Sequence, residues 1–292
     1  MKQLVIISGK GGTGKTSVAA SLIHLASQTH RVVAADADVD AANLALVLSP
    51  TEGQTTSFTG GKVAVINPQS CTLCGICHEV CRFDAVQPGV VFTIDPVACE
   101  GCAACHYQCP SSAITMDVQT AGEWTISKTR FGPLYYAHLY AGQENSGKLV
   151  TLIKSKALQY ARDSNSDFLL VDSPPGIGCP VIASIAGADL VLIVTEPSVA
   201  GVHDMERILG LTGHFHIPAS VMINKADLSQ SRTASIIKAC DQRDVPVMGC
   251  LPYDITAVDA AVRGLPVTEF DSELSVALRS SWVNLQNFIT QM

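Results

Sequence analysis

The sequence predicts an α/β protein: a doubly wound, mostly parallel sheet with a small cysteine-rich α+β module inserted into it. Three observations carry that prediction. Short apolar runs alternate with helical patterns toward both ends of the chain, which is how a parallel sheet covered on both faces is built. The first apolar run opens directly into a glycine-rich segment, GKGGTGKT at 9–16. Between the two alternating stretches, residues 71–109 hold eight of the chain's 11 cysteines.

Taken in order, an apolar strand over 3–8 leads into Gly9-Lys10-Gly11-Gly12-Thr13-Gly14-Lys15-Thr16, a full G-x4-G-K-[ST] match. Its glycines let backbone N–H groups approach phosphate oxygens. Lys15 is placed to reach the β/γ-phosphates, and the Thr16 hydroxyl to sit on Mg²⁺. A helix over 15–28 adds its positive N-terminal end. A strand at 31–35 runs into Asp36-Ala-Asp38-Val-Asp40-Ala-Ala-Asn43. After Pro50, the polar, glycine-rich TEGQTTSFTGG reads as a linker over 51–60. The inserted module then covers 61–118, with short strands at 62–67 and 90–95. The outer domain resumes at 119, with a further strand over 123–128. Residues 129–147, holding Gly132, Pro133, Gly142 and Gly147, are the least readable stretch and are expected to lie over the cleft.

A helix at 148–162 precedes a strand at 168–171 that ends in Asp172-Ser-Pro-Pro-Gly176. Strands at 189–194, 219–223 and 245–249 alternate with helices at 203–213 and 231–242. The strand at 219–223 delivers Asn224-Lys225. The terminal stretch Glu273–Met292 is amphipathic, with Leu274, Leu278, Trp282, Leu285, Ile289 and Met292 on one face. Arg279 is its only Lys or Arg, so attraction to anionic lipid is missing and docking on the core is expected. The domain plan is therefore 1–50 with 119–292, interrupted by the module at 61–118.

The cysteines form two near-copies of one run. Cys71-x2-Cys74-x2-Cys77-x3-Cys81 is repeated 28 residues later as Cys99-x2-Cys102-x2-Cys105-x3-Cys109. A zinc site normally takes four ligands as separated pairs and does not explain two triplet-plus-one runs. The spacing resembles that of bacterial two-cluster ferredoxins. The resemblance implies two [4Fe–4S] clusters with crossed ligation: Cys71, Cys74, Cys77 and Cys109 on one, Cys99, Cys102, Cys105 and Cys81 on the other. Pro110 follows the fourth cysteine of the second run, whereas Arg82 stands at that position in the first.

GKGGTGKT resembles the phosphate loop of the MinD/ParA/Mrp and nitrogenase-iron-protein group of ATPases. That resemblance covers essentially the whole chain and implies further roles. Lys10 would cross a homodimer interface to the partner subunit's nucleotide, Asp38 would orient the attacking water, and Asp172 would hold the Mg²⁺ shell through water. Asn224 would recognise the base. The implied catalytic set is Lys10, Lys15, Asp38 and Asp172, with Gly9, Lys10, Gly11, Gly12, Thr13, Gly14, Lys15, Thr16 and Asn224 binding nucleotide. ATP is expected over GTP, although Asn224-Lys225-Ala226-Asp227 also spells the N-K-x-D of GTPases.

Cys179 lies seven residues after Asp172. Likeness to the nitrogenase iron protein makes it a candidate cluster ligand at a dimer axis. That protein supplies two cysteines per subunit, however, and no second one stands between Cys109 and Asp172; a small buried thiol is the plainer alternative. Cys240 and Cys250 read as packing residues. His78 and His106 hold equivalent places in the two runs and read as solvated residues at helix starts.

The chain has 292 residues and a formal net charge of −7, and 47% of it is hydrophobic. That is ample for a core and argues against a general nucleic-acid surface. No run reaches membrane-spanning length. The first strand begins at the N-terminus and leaves no room for a leader, so a reducing cytoplasm is expected. The functional expectation is an ATPase whose homodimer couples nucleotide state to electron transfer through two clusters to a partner protein. The alternatives are a metallocluster carrier of the Mrp type and a MinD-like positioning ATPase with redox-sensing clusters.

Overall fold

The computed structural model describes residues 1–143 and 145–292. In chain order its strands are β1 (Lys2–Ile7), β2 (Val32–Asp36), β3 (Glu52–Ile66), β4 (Val86–Gln87), β5 (Thr93–Ile94), β6 (Ile114–Thr129), β7 (Gly132–Leu139), β8 (Phe168–Asp172), β9 (Leu190–Thr195), β10 (Ala219–Ile223) and β11 (Val247–Cys250). The main sheet runs β11-β10-β9-β1-β8-β2-β7-β6-β3, and β4 and β5 form a separate antiparallel pair.

The first unit comprises Met1–Thr55, Trp124–His138 and Ser146–Met292. Its centre is β9-β1-β8-β2, all parallel. These strands read as unbroken apolar runs because both faces are covered: Leu4 to Ile7 are entirely buried, as are Leu169 to Val171 and Val191 to Ile193. Register aligns Ile6 with Asp172, and Asp172 with Asp36. Both acids therefore emerge at the carboxyl edge where β1 opens into the glycine loop, the edge at which such sheets bind ligands.

The helices of this unit are α1 (Lys15–Ser27), α2 (Leu44–Leu48), α5 (Ser146–Asp163), α6 (Cys179–Ile185), α7 (Val199–His214), α8 (Gln230–Asp241), α9 (Thr256–Val262) and α10 (Glu273–Gln291). α10 begins at Ser272, whose hydroxyl caps the N–H of Ser275 at 3.1 Å. Its apolar stripe is buried through Leu274, Leu278, Trp282, Leu285 and Ile289, whereas Met292, expected on the same face, is exposed. The Trp282 ring meets Phe168 edge-on at 5.7 Å, and Asn284 donates to the Met248 carbonyl at 3.0 Å. The terminal helix is thus docked on the core. Among the described residues no helix is long and apolar enough to cross a membrane.

The second unit comprises Thr56–Glu123 and Leu139–Asn145. It holds the distal parts of β3 and β6, the β4–β5 pair, and two short helices, α3 (Ile76–Glu79) and α4 (Ala104–Gln108). Its core gathers Ala64, Cys77, Val86 and Ile114, with Ile66, Phe92 and Ile94 packed against them.

Two sequence expectations are corrected. The stretch read as a linker, 51–60, lies almost wholly within strand β3. Only Phe58 and Ala64 of that strand are buried, so it lacks the apolar alternation that marks a half-buried strand. The available signal was its threonines at 55, 56 and 59, which favour extended backbone. The two compact units divide inside strands, at Thr55/Thr56 and Glu123/Trp124. Within the stretch 129–147, expected over the cleft, Glu144 lies outside the described residues, and residues 132–139 instead form β7, which pairs in parallel with β2. Gly132 is required there: its φ is +129°, and a Cβ would collide with the Val32 carbonyl oxygen.

Leu285 is fully buried on the docked face of α10. Leu285→Ala is expected to lower unfolding free energy by about 3 kcal/mol through lost burial and a residual cavity, measured by urea denaturation of the full chain.

Candidate functional site

A cleft of ≈ 530 Å³ opens at the carboxyl edge of the sheet, lined by the glycine loop, Asp38, Asp40 and Asn43 on one side and Pro174 and Pro175 on the other. The loop turns because Gly12 and Gly14 take positive φ, +80° and +88°. Glycine is also required by close neighbours. A Cβ on Gly9 would strike the Asp204 side chain, and one on Gly14 would strike the Asn224 amide. That amide donates to the Thr13 carbonyl at 2.7 Å, so the β10 terminus braces the loop.

Asp172 is the hub of the cleft. Lys15 Nζ lies 2.6 Å from one of its oxygens and the Thr16 hydroxyl 2.7 Å from the other. Lys15 is also 3.9 Å from Asp38. Burial pulls the Lys15 ammonium down, but the charge and hydrogen bond of Asp172, with the charges of Asp36 and Asp38, outweigh it and hold its pKa above the usual value. Lys15 is therefore a permanent cation.

Sequence reasoning assigned no role to Asp36, which is wholly buried. One of its oxygens accepts from the Asp38 N–H at 3.0 Å and the other from the Leu44 N–H at 2.9 Å. It thus folds the 37–43 loop back on itself and seats the start of α2. Burial, then the charge of Asp172, pushes its carboxyl well above the usual range. The signal that could have found it is an acid ending an otherwise apolar strand.

Asp38 is partly exposed at the cleft wall. Burial pushes its carboxyl up to about 6; Lys15 opposes that rise, while Asp172 and Asp40 add to it. Lys10 lies away from the Asp172 hub, 2.6 Å from Glu196. A second cavity of ≈ 210 Å³ adjoins Gly14, Asn224, Lys225, Pro252, Tyr253 and Asp254. Beside it, Asp227 accepts the Tyr253 N–H at 2.6 Å.

In the second unit, Cys71, Cys74, Cys77 and Cys109 line one cavity, walled by Ile66 and Phe92. Cys81, Cys99, Cys102 and Cys105 line another, walled by Val86 and Ile94. The Ala113 N–H points at Cys109 Sγ, 3.3 Å away. Burial raises the Cys77 and Cys105 thiols, with neighbouring cysteines adding to it. Among the described residues no group of three or more His, Cys, Asp or Glu side chains is arranged to hold a metal ion.

His78 is exposed and His106 half-buried, and each is also tied to the backbone, which the sequence reading did not include. Each ring Nδ1 meets a backbone carbonyl eight residues on, Val86 at 2.8 Å and Ile114 at 2.6 Å. A carbonyl only accepts, so Nδ1 carries the proton in both. The two rings pin the two runs in equivalent ways.

Cys179 is exposed at the first position of α6, which corrects the buried-thiol alternative. Cys240 is fully buried near Met205, as a packing residue is. Cys250, also read as packing, is instead exposed at the end of β11.

Comparison with known proteins gives a consistent picture. Residues 4–267 match the CobQ/CobB/MinD/ParA nucleotide binding domain family. An uncharacterized protein of Methanocaldococcus jannaschii is 30% identical over 289 residues, covering 98% of this chain and 97% of that one. The septum site-determining protein MinD of Pyrococcus horikoshii, solved with Mg-ADP, superposes with a TM-score of 0.63 at 18% identity, covering 98% and 96% of the two chains. MinD of Aquifex aeolicus, solved in complex with MinC, gives 0.58 at 21% identity over 98% and 96%.

Two outcomes test the cleft. Lys15→Ala is expected to weaken nucleotide binding by about two orders of magnitude, the scale of a lost buried charge contact, by calorimetric titration. If Asp38 acts as its carboxylate, kcat/KM for ATP, which reports free-enzyme ionisations, should rise as pH climbs through about 6. The sign follows from the raised pKa: below it the carboxyl is neutral and accepts from water poorly. Asp38→Asn should lack that inflection.

Proposed function

Because the chain belongs to the CobQ/CobB/MinD/ParA nucleotide-binding family, we propose that it is an ATP-hydrolysing iron–sulfur protein. Nucleotide state, read by a homodimer, would gate electron transfer through two [4Fe–4S] clusters to a partner protein. The observation that carries the reading is that one chain combines a complete phosphate-loop cleft with two cavities, each lined by three cysteines of one run and the fourth of the other.

In the cleft, each residue has a chemical task. The loop N–H groups and Lys15 bind the β- and γ-phosphates. For Lys15 to do so, its ammonium must leave Asp172, freeing that carboxylate to order the Mg²⁺ shell with the Thr16 hydroxyl. Asp38, on the cleft wall, orients water for in-line attack. Positioning and charge placement supply most of the catalysis of phosphoryl transfer. Asn224, at the second cavity, would face the base. Asp227 accepts the Tyr253 N–H on one carboxylate oxygen and keeps its other oxygen; ATP is proposed over GTP from the likeness of the phosphate loop to that of the MinD/ParA ATPases.

In the second unit the donor set fits two clusters. Four thiols line each cavity beside apolar side chains, and a backbone N–H is aimed at Cys109 sulfur. Two triplet-plus-one cysteine runs suit two multi-iron cubes better than one tetrahedral zinc ion, which takes four ligands as separated pairs. When bound, such clusters supply one-electron transfer at a potential set by their surroundings. The eight cysteines hold them, and His78 and His106 fasten the binding loops to the adjacent strands.

A MinD-like positioning role is the second reading, favoured by the likeness to MinD over almost the whole chain. The docked α10, with Arg279 as its one Lys or Arg, does not support membrane attachment by that helix.

Protein isolated without oxygen is expected to hold about eight iron and eight labile sulfide per chain, four of each per cube. Cys77→Ser and Cys105→Ser should each lower iron content, and Cys240→Ser should leave it unchanged. Stoichiometric zinc in a colourless preparation would refute the cluster reading. Gating is tested by ATP affinity in oxidised and dithionite-reduced protein. Linkage requires any effect of nucleotide on the clusters to return as an equal effect of reduction on ATP binding. Equal affinities would leave the positioning role ahead.

A further inference from the structure

We propose that Glu196 is a latch residue: it holds Lys10 within its own subunit and thereby opposes ATP-dependent pairing of two chains. The inference rests on the homodimer reading above, in which Lys10 serves the partner subunit's nucleotide.

The geometry is built by the sheet. Glu196 is the first residue past β9, and β9 lies beside β1 with Ile193 in register with Ile7. Its carboxylate therefore stands at the same edge as the loop that carries Lys10. The backbone there is fixed. The Asn224 N–H donates to the Thr195 carbonyl at 2.8 Å, and the Ser198 N–H to the Glu196 carbonyl at 2.8 Å. Gly201 lets α7 start against that carbonyl, because any Cβ there would collide with it.

Glu196 holds two cations at once. One oxygen lies 2.6 Å from Lys10 Nζ and the other 3.3 Å from Lys225 Nζ. Lys225 also donates to the Gly12 carbonyl at 3.0 Å, which ties the carboxylate to the loop itself. The Glu196 side chain is 16% exposed and that of Lys10 38%, so the pair is accessible enough to open. Burial pushes the Glu196 carboxyl up, but the hydrogen bond and charge of Lys10, with the charge of Lys225, overcome it and hold it below the usual range. While this pair persists, Lys10 cannot extend to a second copy.

Opening the latch should favour the dimer. Glu196→Gln keeps the shape and removes the charge; Glu196→Asp keeps the charge and shortens the reach. Both should tighten ATP-dependent pairing, by about fivefold per subunit, the scale of one partly exposed ion pair. Two latches open per dimer, so the dimer dissociation constant should fall about 25-fold. The measurement is sedimentation of the full chain across ATP concentrations, with Asp38→Ala in every variant to slow hydrolysis. In parallel, acylation of Lys10 by an N-hydroxysuccinimide ester, followed by mass spectrometry without nucleotide, should be faster in Glu196→Gln than in the parent. If the parent pairs with ATP and the two variants pair no more tightly, or Lys10 acylation is unchanged, the latch is overturned and the dimer reading stands. If no chain pairs at any ATP concentration, the dimer reading and the latch fall together.

Discussion

The nucleotide cleft depends on one carboxylate, Asp172, which takes Lys15 on one oxygen and Thr16 on the other. It can do so because it ends β8 between two parallel neighbours, aligned with Ile6 of β1 on one side and Asp36 of β2 on the other. A slip of one residue would turn Asp172 to the opposite face of the sheet. The apolar strands behind it, buried on both faces, are what hold the register. Stability and site geometry are therefore supplied by the same hydrophobic contacts.

Around that hub the charges are arranged in opposition. Three acids, Asp36, Asp38 and Asp172, lie close enough to raise the Lys15 pKa against the pull of burial. Asp36 is driven toward its neutral form by burial and by Asp172. Lys15 offsets the repulsion among these acids. A phosphate bound there would take over Lys15 and release Asp172. Glu196 plays the corresponding part at the outer rim, where it gathers Lys10 and Lys225. The cleft thus holds both of its signature lysines on its own acids.

The cysteine-rich unit uses different physics. Its core is small, with Ala64, Cys77, Val86 and Ile114 at its centre, and its helices are only one turn or so long. A unit with so little apolar burial would gain stability from a metal group held by its thiols. The paired rings of His78 and His106, each fixed on a carbonyl eight residues away, show that the internal repeat extends beyond the cysteines to how each loop is anchored.

Much of this was legible in the amino-acid order. The six strands with unbroken apolar cores, the glycine loop after the first of them, and the acids that end two others follow from local pattern alone, because buried parallel strands and phosphate loops are short contiguous segments. The docked face of α10 was readable for the same reason, from its 3.6-residue period. What only the tertiary structure decided depends on residues far apart in the chain. β3, polar and mostly exposed, is a strand because it pairs with β6, and nothing in its own residues demanded burial. Asp36 matters because β2 lies beside β8, and Glu196 because β9 lies beside β1. The sharing of each cavity between two cysteine runs is set by how the chain returns on itself. Sequence determines which groups are available; register and burial, which are long-range, decide which of them meet.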